Sequence, residues 1–296
     1  MEIDGIILLN KPKGWTSRQA VNEVSKLLRT GRIGHAGTLD PLATGLLVIC
    51  VGKATRLEQF LQAATKGYQA IFRLGRTSPT DDSEGPITEI PVSQPPTLEE
   101  VSACLQSSVG RIEQRPPAYS AIKIGGQRAY QLARSGHPVE LPPRIVEIRS
   151  IQIVRYEFPL LEVDIECGGG TYIRSIARDL GEKLGCGALL ESLVRIWVGP
   201  FHLNDALTPE ELRAKEISQC LRGMEEAVAH LPRVVIQDSL IKRLLNGQAV
   251  PLQPLETASP SGIPVAVFDP QGKLVGLAEV SKGKQLQPKV NLRSPT

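Results

Sequence analysis

Six consecutive apolar residues, Leu46-Leu47-Val48-Ile49-Cys50-Val51, follow directly on Gly34-His35-Ala36-Gly37-Thr38-Leu39-Asp40-Pro41-Leu42-Ala43-Thr44-Gly45. The uninterrupted run is short enough to be a strand buried on both faces. The twelve residues ahead of it carry an acid, a histidine, two threonines and three glycines. Asp40 precedes a proline, so its backbone is pushed toward extended geometry and away from helix. With Gly31, Gly34 and Gly37 upstream, the segment reads as a loop with unusual dihedrals that allows close backbone approach. An isolated Asp-Pro is more often only a turn. An acid held on such a loop at the mouth of a buried strand is placed for chemistry.

The remaining elements alternate between strand and helix. Residues 5–10 (Gly-Ile-Ile-Leu-Leu-Asn) read as a buried strand, and Lys11-Pro12-Lys13-Gly14-Trp15 as a turn. Thr16 or Ser17 caps a helix whose apolar positions Val21, Val24 and Leu28 recur at helical spacing. Gly52-Lys53-Ala54-Thr55 is not a phosphate loop. A phosphate loop needs glycine at 47 and a hydroxyl at 54, and the chain has leucine and alanine. A helix is expected over about 54–64, then a strand with Tyr68, Ala70, Phe72 and Leu74 on one face. After a proline-rich linker at 91–96, Thr97 and Glu100 form a capping-box pattern.

Arg115, Lys123, Arg128 and Arg134, interleaved with Tyr119 and Tyr130, suit phosphates and bases, and read alone they suit a solvated face equally well. Strands are expected at 145–156 and 161–167, the second alternating strictly between apolar and acidic residues. Gly168-Gly169-Gly170 breaks it, and Thr171 is placed to cap a helix over about 172–184. Arg174 lies near the start of that helix, where the macrodipole disfavours a cation, which suggests a carboxylate partner elsewhere in the chain. Short helices at 208–215 and near 217–230 follow. The texture then changes: a helix at 239–246, strands at 265–268 and 274–280, and a turn at Asp269-Pro270-Gln271-Gly272 outline a small β-rich domain. We therefore expect domains at 1–231 and 232–296, the first carrying an insertion at about 115–145.

Composition excludes several classes. Hydrophobic content of 41% in 296 residues is ordinary for a folded chain, and no apolar run is long enough to cross a bilayer. The acidic start, Met1-Glu2-Ile3-Asp4, lacks a signal-peptide pattern, so a cytoplasmic location is expected. Five scattered cysteines without a C-x-x-C pair and four distant histidines offer neither a disulfide framework nor metal-ligand spacing, and no metal is expected. The net charge of +3 permits nucleic-acid binding without demanding it.

Gly-His-Ala-Gly-Thr-Leu-Asp-Pro-Leu-Ala-Thr-Gly, residues 34–45, resembles the signature of the TruB family of tRNA pseudouridine synthases. Asn10-Lys11-Pro12 with Gly14-x-Thr16-Ser17, the Lys66-x-Tyr68 segment, and Cys167-x-x-Gly170-Thr171-Tyr172-Ile173-Arg174-Ser175 resemble further motifs of that family, in the same order. The resemblance covers residues 3–201, and weakly the C-terminal stretch. It implies an α+β pseudouridine-synthase fold with a bent, mostly antiparallel mixed sheet and an insertion that grips RNA. It also implies a monomeric, cofactor-free enzyme that isomerises uridine 55 in the T-stem loop of tRNA. In that reading Asp40 is the nucleophile, Arg174 pairs with it, and Lys11 supports its loop. Tyr68 stacks on the target base, Leu193 packs its other face, Tyr172 lines the pocket, and His35 fills the space left by the extruded base. Gly168, Gly169 and Val194 depart from the family pattern and reduce the expected basic charge. Two other readings remain: an RNA-binding or tRNA-folding protein without turnover, and a guide-dependent synthase acting on ribosomal RNA.

Overall fold

The structure, a computed structural model, describes residues 3–28, 31–120, 122–135, 141–251, 264–281 and 285–293, without the side chains of residues 123, 124 and 134. The side chains of Lys123 and Arg134 in the basic stretch, and His137, thus lie outside the described residues. The chain runs β1 (Gly5–Lys11), α1 (Ser17–Leu28), β2 (Ile33–His35), β3 (Thr44–Val51), α2 (Glu58–Ala63), β4 (Lys66–Leu74), β5 (Arg76–Thr77), β6 (Thr88–Glu89), α3 (Leu98–Gln106) and β7 (Gly110–Gln114). Next come β8 (Lys123–Ile124), β9 (Gln127–Arg128), α4 (Ala129–Arg134), β10 (Arg144–Glu157), β11 (Leu160–Cys167), α5 (Ile173–Lys183), β12 (Ala188–Val198), β13 (Phe201–His202) and α6 (Pro209–Ala214). The last group is β14 (Arg233–Val235), α7 (Asp238–Leu245), β15 (Val250–Pro251), β16 (Pro264–Phe268), β17 (Leu274–Val280) and β18 (Gln285–Asn291).

The main sheet follows the order β1-β3-β12-β4-β11-β10-β7, with β2 beside β3 and β13 beside β12. Its pairings are antiparallel except one: β3 and β12 run parallel, with Thr44 opposite Val194 and Gly45 opposite Arg195. This short seam joins two antiparallel halves. Gly45 makes it possible, since its φ is +95° and a Cβ there would stand 2.5 Å from the Arg195 carbonyl oxygen. The central strand β12 is absent from the sequence reading. Its register shifts after Leu190 and Arg195 break the two-residue period by which a strand is recognised.

Alternate residues of β3 enter different cores. Leu47, Ile49 and Val51 belong to the core shared with α1, α5, β4 and β11, whereas Leu46, Val48 and Cys50 belong to a second core that takes in Leu57, Phe201 and, from the C-terminal region, Phe268, Leu274, Leu277 and Leu292. The apolar run is therefore continuous because a layer covers each side of it. The C-terminal sheet has the order β14-β16-β17-β18-β15 and its own small core of Val234, Leu244, Val265, Val275 and Leu286.

Three local expectations change. The helix expected at 54–64 is a 3-10 turn, Gly52–Leu57, followed by α2. The helix expected near 217–230 is two 3-10 turns, Ile217–Cys220 and Glu226–Val228. Between them Arg222 exchanges two backbone hydrogen bonds with Ile6, of 3.0 and 2.8 Å, which covers the edge of β1 in place of a helical ladder. Thr171 does not cap α5; its hydroxyl donates to the Gly168 carbonyl instead. The N-cap is Tyr172, whose N–H is taken by the Gln114 side chain at 2.8 Å. The capping box of Thr97 and Glu100 forms as expected.

Candidate active site

The loop carrying Asp40 is held from behind by the first turn of the chain. The Ser17 hydroxyl both accepts from Leu39 N–H (2.8 Å) and donates to the Leu39 carbonyl (2.9 Å), and Gly14 N–H donates to the Pro41 carbonyl (2.8 Å). Lys11 is fully buried beneath this turn, with Nζ donating to the carbonyls of Pro12 and Trp15. Burial lowers its pKa to about 8, against the attraction of Asp40 and Glu84.

Asp40 lines a cavity of about 330 Å³ together with Tyr68, Tyr172, Arg174 and Leu193. The fold assembles these residues through β12, which has β3 on one side and β4 on the other. On β4, Ala70 stands opposite Leu193 and Tyr68 opposite Arg195, and Arg195 on its other side belongs to the seam with Gly45 that follows the Asp40 loop. Arg174, 5% exposed, lies 3.0 Å from the half-exposed Asp40 carboxylate and 3.3 Å from that of Asp82. It also donates to the carbonyls of Thr80 (2.8 Å) and Tyr119 (3.0 Å). The cation at the unfavourable end of α5 thus has two carboxylate partners, and the fork fixes where Asp40 can point. One turn along, Arg178 binds Asp81 (3.0 Å), so adjacent aspartates of one loop are clamped by successive turns of one helix.

Tyr68 is buried, and desolvation raises its phenol to about 12, with the Arg195 guanidinium acting in the opposite sense. Its hydroxyl therefore stays protonated near neutrality. Arg195 is buried, its Nε donating to the Leu46 carbonyl (2.8 Å) and Nη2 to that of Gly37 (3.1 Å), so it ties the signature loop to the sheet. Lys66 closes the end of α2 by donating to the carbonyls of Gln62 and Ala64, and burial and Arg195 lower its pKa to about 8.

Two expected site residues stand outside the cavity lining. Lys11 is the prop described above. His35 lies on β2, its carbonyl accepting from Gln62 and its Nδ1 buried without a hydrogen-bond partner among the described residues. Burial lowers the pKa of its imidazole. Sequence reasoning missed Lys66, Ser120, Arg144 and Arg195 as residues of the cavity, and Asp82 as the second partner of Arg174. Arg195 did leave a signal, a lone arginine inside the apolar strand segment Leu193-Val194-Arg195-Ile196-Trp197-Val198. Among the described residues no three His, Cys, Asp or Glu side chains converge to hold a metal, and no helix is long and apolar enough to cross a membrane.

This geometry can be set beside known proteins. Residues 25–173 match the model of the TruB family pseudouridylate synthase N-terminal domain. Residues 174–229 match that of the tRNA pseudouridylate synthase B C-terminal domain, and 232–292 that of the pseudouridine synthase II TruB C-terminal region. A protein of Xanthomonas campestris pv. campestris called tRNA pseudouridine synthase B is 41% identical over 294 residues, covering 97% of this chain and 93% of its own. Its namesake in Dehalococcoides mccartyi is 42% identical over 281 residues, 94% and 92% of the two chains. Among solved structures, a chain of a Cbf5-Nop10-Gar1 complex superposes with a TM-score of 0.76 at 28% identity, over 98% of this chain and 85% of that one. A chain of an H/ACA RNP bound to a substrate RNA containing 2'-deoxyuridine gives 0.74 at 26%, over 98% and 86%.

Proposed function

This chain belongs to the TruB family of pseudouridylate synthases, and from that premise we propose that it isomerises uridine 55 in the T-stem loop of tRNA, with Asp40 as the nucleophile. The observation that carries the assignment is the Asp40–Arg174 pair at the mouth of the cavity, with Tyr68 and Leu193 on its walls. The reaction breaks the bond from N1 to C1′ and forms one from C5 to C1′. C5 loses its proton to solvent and N1 takes one up, so the product has the same atoms as the substrate and no second carboxylate is needed to activate water. A base inside a stacked loop is out of reach, so the uridine is extruded into the cavity at a cost of about a few kcal/mol. Tyr68 stacks on one face of the base and Leu193 packs the other. Lys11 holds the loop, and His35 fills the gap left in the RNA.

The relatives called tRNA pseudouridine synthase B are 41–42% identical, against 26–28% for the chains from the Cbf5-Nop10-Gar1 complex and the H/ACA RNP, which favours tRNA as the substrate. On this reading the chain acts as a cytoplasmic monomer. Residues 1–231 form the catalytic domain with its insertion at about 115–145, and 232–296 form a small domain that extends the RNA surface. The test is release of tritium from C5 of the target uridine in a T-stem-loop RNA. The native protein releases it, and Asp40→Asn binds the RNA with similar affinity and releases none. Turnover by Asp40→Asn at the native rate refutes the assignment.

A further inference from the structure

The cations around the cavity differ in how far the protein itself satisfies them. Arg174 is engaged by two carboxylates and two carbonyls, and Arg195 and Lys66 each by two carbonyls. Arg144, the first residue of β10, is the exception. It lines the same cavity, beside Gly168, Gly170 and Tyr172. Its guanidinium lies over the Tyr172 ring, 4.8 Å from the centroid, and Nη2 donates to the Gly170 carbonyl. Its Nε is buried without a hydrogen-bond partner, as is that of Arg174, but Arg144 has a single carbonyl acceptor and no carboxylate partner among the described residues.

A buried N–H left unpaired costs about 1–3 kcal/mol, and a cation stacked on an aromatic ring is held in one plane with its edge donors fixed. Of the three glycines at 168–170, only Gly170 adjoins Arg144: a Cβ there would stand 3.8 Å from the guanidinium carbon, whereas on Gly168 it would meet Glu147 and on Gly169 the backbone of Gln62 and Ala63. A planar cation with free edge donors and no carboxylate partner is matched by two oxygens of one phosphodiester. When a nucleotide is turned out of its loop, the phosphates on either side of it are drawn to the mouth of the cavity with it.

We propose that Arg144, braced on Tyr172, binds a phosphodiester flanking the reacting uridine and so sets how deep the extruded nucleotide sits. The proposal rests on the RNA-modifying function given above. Tyr172 then serves as the platform for Arg144 as well as a wall of the pocket, and Gln114 fixes the platform through both backbone groups of Tyr172, at 2.8 and 3.1 Å.

The test combines protein and RNA changes. T-stem-loop RNAs carry an uncharged methylphosphonate immediately 5′ or 3′ of the target uridine, and each is assayed with native protein, Arg144→Ala and Arg144→Lys. Dissociation constants over a range of salt and single-turnover tritium release are measured. Arg144→Ala is expected to weaken binding about 10- to 100-fold. It should flatten the log–log salt dependence by about 0.7, the value for one contact to single-stranded RNA. Arg144→Lys restores the salt slope without restoring affinity, because an ammonium does not hold the stacked fork. One of the two methylphosphonates weakens native protein by a factor similar to that of Arg144→Ala, and does not weaken Arg144→Ala further. If both methylphosphonates leave native binding unchanged, a measurement that needs no substitution, the contact does not exist. Strictly multiplicative losses in the combination overturn it equally. Native protein that releases no tritium from unmodified RNA refutes the function itself, whereas an active native protein with an indistinguishable Arg144→Ala refutes only this contact.

Discussion

Replacing Arg174 by methionine separates the structural from the catalytic work of one side chain. Methionine keeps the bulk of the stem but leaves Asp82, whose side chain is 4% exposed, as a buried carboxylate without its cation. Removing one member of a buried pair costs about 3–5 kcal/mol. Asp40 adds little, because at 40% side-chain exposure water can take the place of the guanidinium. For a domain of this size each kcal/mol moves the melting temperature by about 2–4 °C, so the variant should melt roughly 10 °C below native. The double variant Arg174→Met, Asp82→Asn removes the stranded charge. It keeps an acceptor for Glu84 N–H, which lies 3.1 Å from the Asp82 carboxylate, and should regain at least half of the loss. Activity behaves differently. Both variants lose the fork that aims Asp40, and both should be slower by at least about 100-fold in single-turnover tritium release. Differential scanning calorimetry supplies the first quantity. A single variant that melts within 2 °C of native, or a double variant no more stable than the single, refutes the claim that Asp82 needs Arg174 for its burial.

Two further perturbations bear on how the site is mounted. Lys66 is buried and its folded pKa is lowered from 10.5 to about 8, so between those values the unfolded chain binds the extra proton and stability rises with pH. Native protein should therefore gain stability relative to Lys66→Met between pH 8 and pH 10, and a constant difference in melting temperature over that range refutes it. Gly181→Ala would strengthen a free helix by up to about 1 kcal/mol. Here the new Cβ would stand 2.0 Å from the Ala188 backbone nitrogen, so chemical denaturation should show a loss of more than 1 kcal/mol instead.

What was readable from the sequence follows from local physics. The run at 46–51 requires two covering layers wherever it lies, because six apolar residues in a row leave no wet face. Asp40 had to sit on a loop, since the proline after it and the glycines around it deny it a helix. Arg174 at the positive end of a helix called for an anion, and the same electrostatics later supplied two. The motifs named the family, and with it Tyr68, Tyr172 and Leu193, all of which line the cavity.

What the sequence did not disclose depends on contacts between residues far apart in the chain. β12 is a strand because β3 and β4 flank it, and its bulges hide the period that would announce it. Residues 217–230 are helical by pattern, yet Arg222 pairs with Ile6 because an open edge of β1 offers better hydrogen bonds than an isolated helical turn. Asp82, 42 positions from Asp40, shares its arginine only because the first turn of α5 brings Arg174 within reach of both loops. Arg144 stands over Tyr172 only because β10 begins beside the glycine turn at 168–170. By itself, then, the sequence determined which segments must be buried, where the chain must turn and which acid had to be presented. The tertiary structure decided which charges share a partner and which is left unpaired, since those energies arise from distances that only the packed sheet sets.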